Sequence, residues 1–205
     1  MQKYKIHYVE AGQGETVILI PGSAGSQRMW NRLVPLLSGQ YRLLALDYPP
    51  AEINEKDPVK TLTRLTDLIV ETIRQLNIAR PALIGSGAGG AIVFDLAARF
   101  PEIPAKIINI LGYVSPTEVV RPAVTRPALD IATELQAIRA PIMYLYSRLT
   151  RERGVSLSNN LELLQKYQPR AWMVELEGSI FATARKNPAE IANLILDFLR
   201  SKPPF

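Results

Sequence analysis

Few side chains in this sequence could carry covalent or acid–base chemistry. There is one histidine, His7, and no cysteine. The missing thiols exclude disulfides, thiolate metal sites and cysteine nucleophiles. Hydroxyls, carboxylates and backbone groups remain. They converge best on Gly85-Ser86-Gly87-Ala88-Gly89-Gly90, which lies between the apolar run Ala82-Leu83-Ile84 and an apolar helical pattern beginning at Ala91. Glycines in such a place predict a turn too sharp for side chains, with positive φ at one or more positions. A strand that turns directly into a helix aims free N–H groups and a positive dipole end at one point. That arrangement polarises a carbonyl or holds a small anion. Ser86 adds a hydroxyl, but a serine nucleophile needs a base beside it, and none is evident nearby. His7 reads as a strand histidine without a catalytic role. Asp47 is expected to satisfy loop N–H groups, and Glu175 and Glu177 to face solvent or cap the end of the last strand. Ser23 and Ser179 are candidate pocket-lining hydroxyls. No metal-ligating set is expected.

The glycine cluster is also literally G-x-G-x-x-G between a strand and a helix, the context of a dinucleotide fingerprint. The next strand, Ile107-Ile108-Asn109-Ile110-Leu111-Gly112, ends without the carboxylate that would hold a ribose. The unit also falls mid-chain rather than on a first strand. Dinucleotide binding through Gly85–Gly90 therefore ranks below the other readings.

The elements that must position this turn follow from periodicity. Residues 4–9 read as a strand, turned by Gly12-Gln13-Gly14 into Thr16–Ile20, which is apolar on both faces as a buried strand should be. Met29, Trp30, Leu33, Leu36 and Leu37 repeat at helical spacing, and Tyr41–Leu46 reads as a further buried strand. Asp57-Pro58 starts a helix whose stripe is Leu62, Leu65, Ile69, Ile73 and Leu76. After the glycine turn, a helix runs to about Arg99, then a strand over 105–111, a short helix near Leu129–Ile138, a strand over 142–146 and a helix over 156–167. The last strand is expected over 171–176. Asn187-Pro188-Ala189-Glu190 is expected to cap a final helix through Leu199. A hairpin followed by alternating α and β predicts an α/β fold, a mostly parallel sheet with helices on both faces and an antiparallel hairpin at the N-terminus. One domain over residues 1–205 is expected, without internal repeat or linker.

From end to end the chain resembles the α/β-hydrolase family. The resemblance rests on Ile6–Gly12 with Val17–Gly22 (opening hairpin and oxyanion loop), Trp30 with Leu33–Leu37, Tyr41–Asp47, the Leu83–Gly90 turn and the Asn187–Leu199 closing helix. It implies a nucleophile elbow of pattern G-x-S-x-G at Gly85-Ser86-Gly87-Ala88-Gly89, which places Gly87 where the nucleophile belongs. It also implies a histidine within Glu177–Ala182 and an acid within Ser147–Thr150; neither stretch contains one. The binding positions it implies are Gly22, Ser23, Ala24, Ser86, Gly87, Ala88 and Ser179, with backbone N–H groups of Ala88 and of Ser23 or Ala24 forming an oxyanion-type pocket. Where many members insert a lid stands the irregular connector from Ser115 to Pro127, and the roughly 25 residues from its start to the next strand leave room for one short helix, so no sizeable cap is expected.

The remaining expectations come from bulk properties. The 205 residues are 47% hydrophobic and 21% charged, with net charge +5, enough for a substantial core. The charge is mild and scattered, and Arg148, Arg151 and Arg153 read as a solvated loop, so no nucleic-acid partner is expected. No run approaches the roughly 20 apolar residues needed to span a bilayer, and no membrane partner is expected. A cytoplasmic location and no cofactor are expected. The sequence reads as an α/β-hydrolase-fold protein without hydrolase activity that binds a small molecule or a protein partner. The alternative is a weak or non-standard esterase or lyase using the same pocket.

Overall fold

A computed structural model describes residues 6–22, 27–47, 58–114, 128–149 and 157–202. Seven strands form one sheet: β1 (His7–Ala11), β2 (Thr16–Ile20), β3 (Arg42–Asp47), β4 (Ala82–Ser86), β5 (Lys106–Ile110), β6 (Ile142–Tyr146) and β7 (Trp172–Glu175). Their spatial order is β1-β3-β2-β4-β5-β6-β7. Every pairing is parallel except β1 with β3. The predicted antiparallel strand is therefore present, but its partner differs from the expected hairpin. β3 lies between β1 and β2, and His7–Ala11 runs against Asp47–Leu43. Gly12 and Gly14, both at positive φ, turn the chain between two strands that are not neighbours. β1 begins at His7 among the described residues, residues 4 and 5 of the expected strand lie outside them, and Tyr8 is 37% exposed.

Among the described residues, seven helices cover the sheet: α1 (Gln27–Leu37), α2 (Pro58–Gln75), α3 (Ala88–Arg99), α4 (Ala128–Ala137), α5 (Leu157–Tyr167), α6 (Ile180–Lys186) and α7 (Pro188–Arg200). Side chains on a strand alternate between faces, and that alternation divides the core in two. Ile18, Ile20, Leu44, Leu83, Ile107 and Tyr144 pack with α2, α3, α4 and α5. Val17, Leu19, Leu43, Ile84, Ile108 and Leu145 pack with Trp30 and Leu33 of α1, Ile180 of α6 and Ile195 of α7. All five residues of β4 are buried, because it is the middle strand and has helices on both sides. α3 follows directly and buries ten of its twelve residues; a helix this apolar all round belongs in a core. Between β5 and β6 the described helix is the ten-residue α4, and residues 115–127 lie outside the described region.

Two local features differ from expectation. Between the last strand and the final helix, where the sequence reading names no element, lies the short helix α6. At α7, Asn187 does not accept a backbone N–H as a cap; its Nδ2 instead donates to Glu190 Oε2 at 3.2 Å. Pro188 fixes the first helical φ in either case.

Candidate functional site

The turn between β4 and α3 has the predicted form. Gly87 is the N-cap of α3 at φ 55°, ψ −122°, a conformation that a side chain makes costly. Its carbonyl accepts Gly90 N–H at 3.0 Å and Tyr113 N–H at 3.3 Å. Ala88, the first helical residue, has an N–H with no intrahelical acceptor, at the positive end of the dipole. Gly22, at the end of β2, lies against this point: a Cβ there would sit 2.9 Å from Ser86 O and 3.5 Å from Ala88 N. Gly22, Ser86, Gly87 and Ala88 therefore come together as expected. Ser23 and Ala24 lie outside the described residues. A Cβ on Gly90 would come within 2.6 Å of the Asn109 amide, and one on Gly89 would run into Ile20 O. These two glycines let α3 press onto the sheet, and the structure lends no support to a phosphate lying against them.

A buried polar network missed from sequence holds the turn from below. Asn109, in β5, accepts Gly112 N–H at 2.7 Å on Oδ1 and donates to Tyr113 O at 3.0 Å. Tyr144 Oη donates to Gly112 O at 3.0 Å, and Asn160 Nδ2 donates to Tyr144 Oη at 3.1 Å. Asn109, Tyr144 and Asn160 are fully buried. Tyr113 in turn contacts Gly87, so the network sets where the Gly112–Tyr113 segment meets the turn. An asparagine and a tyrosine in the otherwise apolar strands KIINI and IMYLY were the available signal.

The loops after β6 and β7, where the resemblance implies an acid and a histidine, are joined by other groups. Ser147, fully buried, donates through Oγ to Gly178 O and accepts Leu149 N–H at 3.2 Å. Arg148 lies 3.0 Å from Glu175 across the same gap. The Glu175 carboxylate, bonded to this guanidinium, holds the Arg148 pKa above its ordinary value. Glu175 is thus an ion-pair partner of Arg148, while Glu177 is exposed as expected. Ser179 is half-buried and is the N-cap of α6, without a side-chain cap bond. Thr150, Arg151 and Arg153 lie outside the described residues.

Of the hydroxyl and imidazole candidates, one is covered within the turn and the other lies apart from it. Ser86 is 4% exposed, whereas Gly87 is half-buried, so the turn presents the glycine and covers the serine. His7 is exposed and pairs across the sheet with Asp47 at the same end of the strands as the turn. β3 and β2 separate β1 from β4, and three inter-strand spacings amount to about 14 Å. No proton transfer between His7 and the turn is feasible at that distance.

With this geometry in view, the comparisons with known proteins agree on the fold. The model of the alpha/beta hydrolase family matches residues 17–198, and the chain belongs to that family. It is 29% identical over 115 residues to the uncharacterized hydrolase YugF of Bacillus subtilis, covering 54% of this chain and 42% of the relative. It is also 29% identical over 115 residues to a 2-hydroxy-6-oxo-6-phenylhexa-2,4-dienoate hydrolase of Comamonas testosteroni, covering 53% of this chain and 40% of the relative. The chain thus spans less than half the length of these two relatives. Among solved structures, an α/β-hydrolase enzyme from the metagenome of Mar Chica lagoon sediments superposes with a TM-score of 0.76 at 17% identity, covering 98% of this chain and 97% of that one. The enol-lactonase of Burkholderia xenovorans superposes at 0.73 with 19% identity, covering 96% of each chain. Among the described residues, no helix is long and apolar enough to cross a membrane.

Proposed function

We propose that this chain is a non-hydrolytic member of the alpha/beta hydrolase family that uses the turn at Gly87 to bind a carbonyl or small anion. The observation that carries the reading is Gly87 itself, at φ 55°, ψ −122° on the apex between β4 and α3. A glycine there keeps the backbone donors and has nothing with which to attack. The loops after β6 and β7 fit the same reading: Ser147 and the Arg148–Glu175 pair join them, and neither contributes an imidazole. What remains at the turn is the Ala88 N–H at a helix start beside Gly22, a group that stabilises negative charge on oxygen without transferring a proton. Butyrate supplies such an oxygen. Titrating ¹⁵N-labelled protein with it should move the Ala88 amide resonance saturably, and an unmoved Ala88 would contradict the binding role.

The names of the relatives favour a second reading, hydrolysis by a rerouted nucleophile, for which Ser86 is the candidate. Turnover of p-nitrophenyl butyrate that disappears in Ser86→Ala would establish it. Turnover unchanged by that substitution would trace to contamination or surface catalysis.

A further inference from the structure

A hollow of about 470 Å³ opens at the opposite end of the sheet from the turn, where β5, β6 and β7 begin. Its volume lies in the range of small-molecule sites. Among the described residues, three arginines line it, Arg80, Arg139 and Arg170, and no carboxylate does. None of the three side chains has a hydrogen bond or ion pair with another described residue. Carbonyls at two of the helix ends around the hollow already have side-chain donors. Gln168 Nε2 donates to Leu135 O and to Ile138 O at the end of α4. Lys106 Nζ collects Phe198 O, Leu199 O and Ser201 O at the end of α7, at 2.8, 2.6 and 2.5 Å. Beside the arginines, the Trp172 ring meets Phe198 edge-on at 5.3 Å between centroids and remains 40% exposed.

We propose that this hollow binds a small organic oxyanion carrying a flat apolar ring, with Arg80, Arg139 and Arg170 engaging the charge and Trp172 the ring. Like charges gathered around one cavity repel, and an anion between them converts repulsion into attraction. Guanidinium forks match carboxylate and phosphate oxygens bidentately, and an indole face offers area to a second ring. The site is independent of the turn at Gly87 and rests on none of its residues.

Three probes of one shape separate the contributions: 1-naphthyl phosphate, 1-naphthoate and neutral 1-naphthol, titrated calorimetrically into the whole chain. At least one of the two anions should bind with 1:1 stoichiometry at least tenfold more tightly than 1-naphthol, and the tighter anion identifies the oxyanion class. Arg139→Gln and Arg170→Gln, both surface changes, should each weaken that anion about tenfold while leaving 1-naphthol and the circular dichroism spectrum unchanged. Equal affinity for 1-naphthol and both anions would overturn the proposal, as would wild-type anion affinity in both arginine variants.

Discussion

Replacing Gly87 tests the geometry of the turn most sharply. At φ 55°, ψ −122°, any Cβ is strained, and a non-glycine residue held there costs about 1–3 kcal/mol. The entropy of unfolding scales with chain length, so for 205 residues that loss corresponds to a fall in Tm of about 2–7 °C. Gly87→Ala should show this fall by differential scanning calorimetry. Gly39→Ala should not, because nothing lies within 4 Å of a Cβ built there and its φ is outside the positive range. Gly87→Ser should be destabilised similarly and remain inactive on p-nitrophenyl butyrate, since the one imidazole lies about 14 Å away across the sheet. A neutral or stabilising Gly87→Ala would refute the strain argument. An efficient esterase created by Gly87→Ser alone would refute the reading of the loops after β6 and β7.

Three further outcomes follow from the same coordinates. Asn160→Ala and Tyr144→Phe should each cost about 1–3 kcal/mol in urea unfolding, and their combination should depart from additivity because they share one hydrogen bond; additive losses would mean the network is not a unit. Lys106→Met should cost about 1–2 kcal/mol by freeing three carbonyls at the end of α7, and an unchanged urea midpoint would contradict that role. The hydrogen bond from Arg42 holds the Glu10 carboxyl below its ordinary 4.5. A carboxyl lowered by folding contributes stability above its unfolded value and loses it as pH falls through the lowered one. Arg42→Gln should therefore flatten the acid side of the stability profile below about pH 4.5, and a superimposable profile would count against the pair.

Much of this arrangement was written locally in the chain. The apolar runs Thr16–Ile20 and Ala82–Ile84 announce strands covered on both faces, and Pro58 and Pro188 mark helix starts through their fixed φ. The glycine turn was legible because few sequences allow a strand to enter a helix without a loop, and Gly87 has the positive φ which that demands. What was not legible depends on partners distant in sequence. Nothing in residues 7–11 says that β3 rather than β2 will lie beside them, because pairing is decided by where helices leave an open edge. Asn160 sits on α5 between exposed Asn159 and half-buried Leu161 and reads as a surface residue until Tyr144 arrives from β6 to meet it. The hollow at the start of β5–β7 is assembled from the segments at the ends of five helices, α2, α3, α4, α5 and α7. No contiguous stretch contains its arginines together with Trp172.

The central claim is that the turn offers backbone donors and no nucleophile. Intact-mass spectrometry after incubation with excess fluorophosphonate tests it directly. The chain should remain unmodified. A stoichiometric single adduct, mapped by peptide sequencing to Ser86, would contradict it.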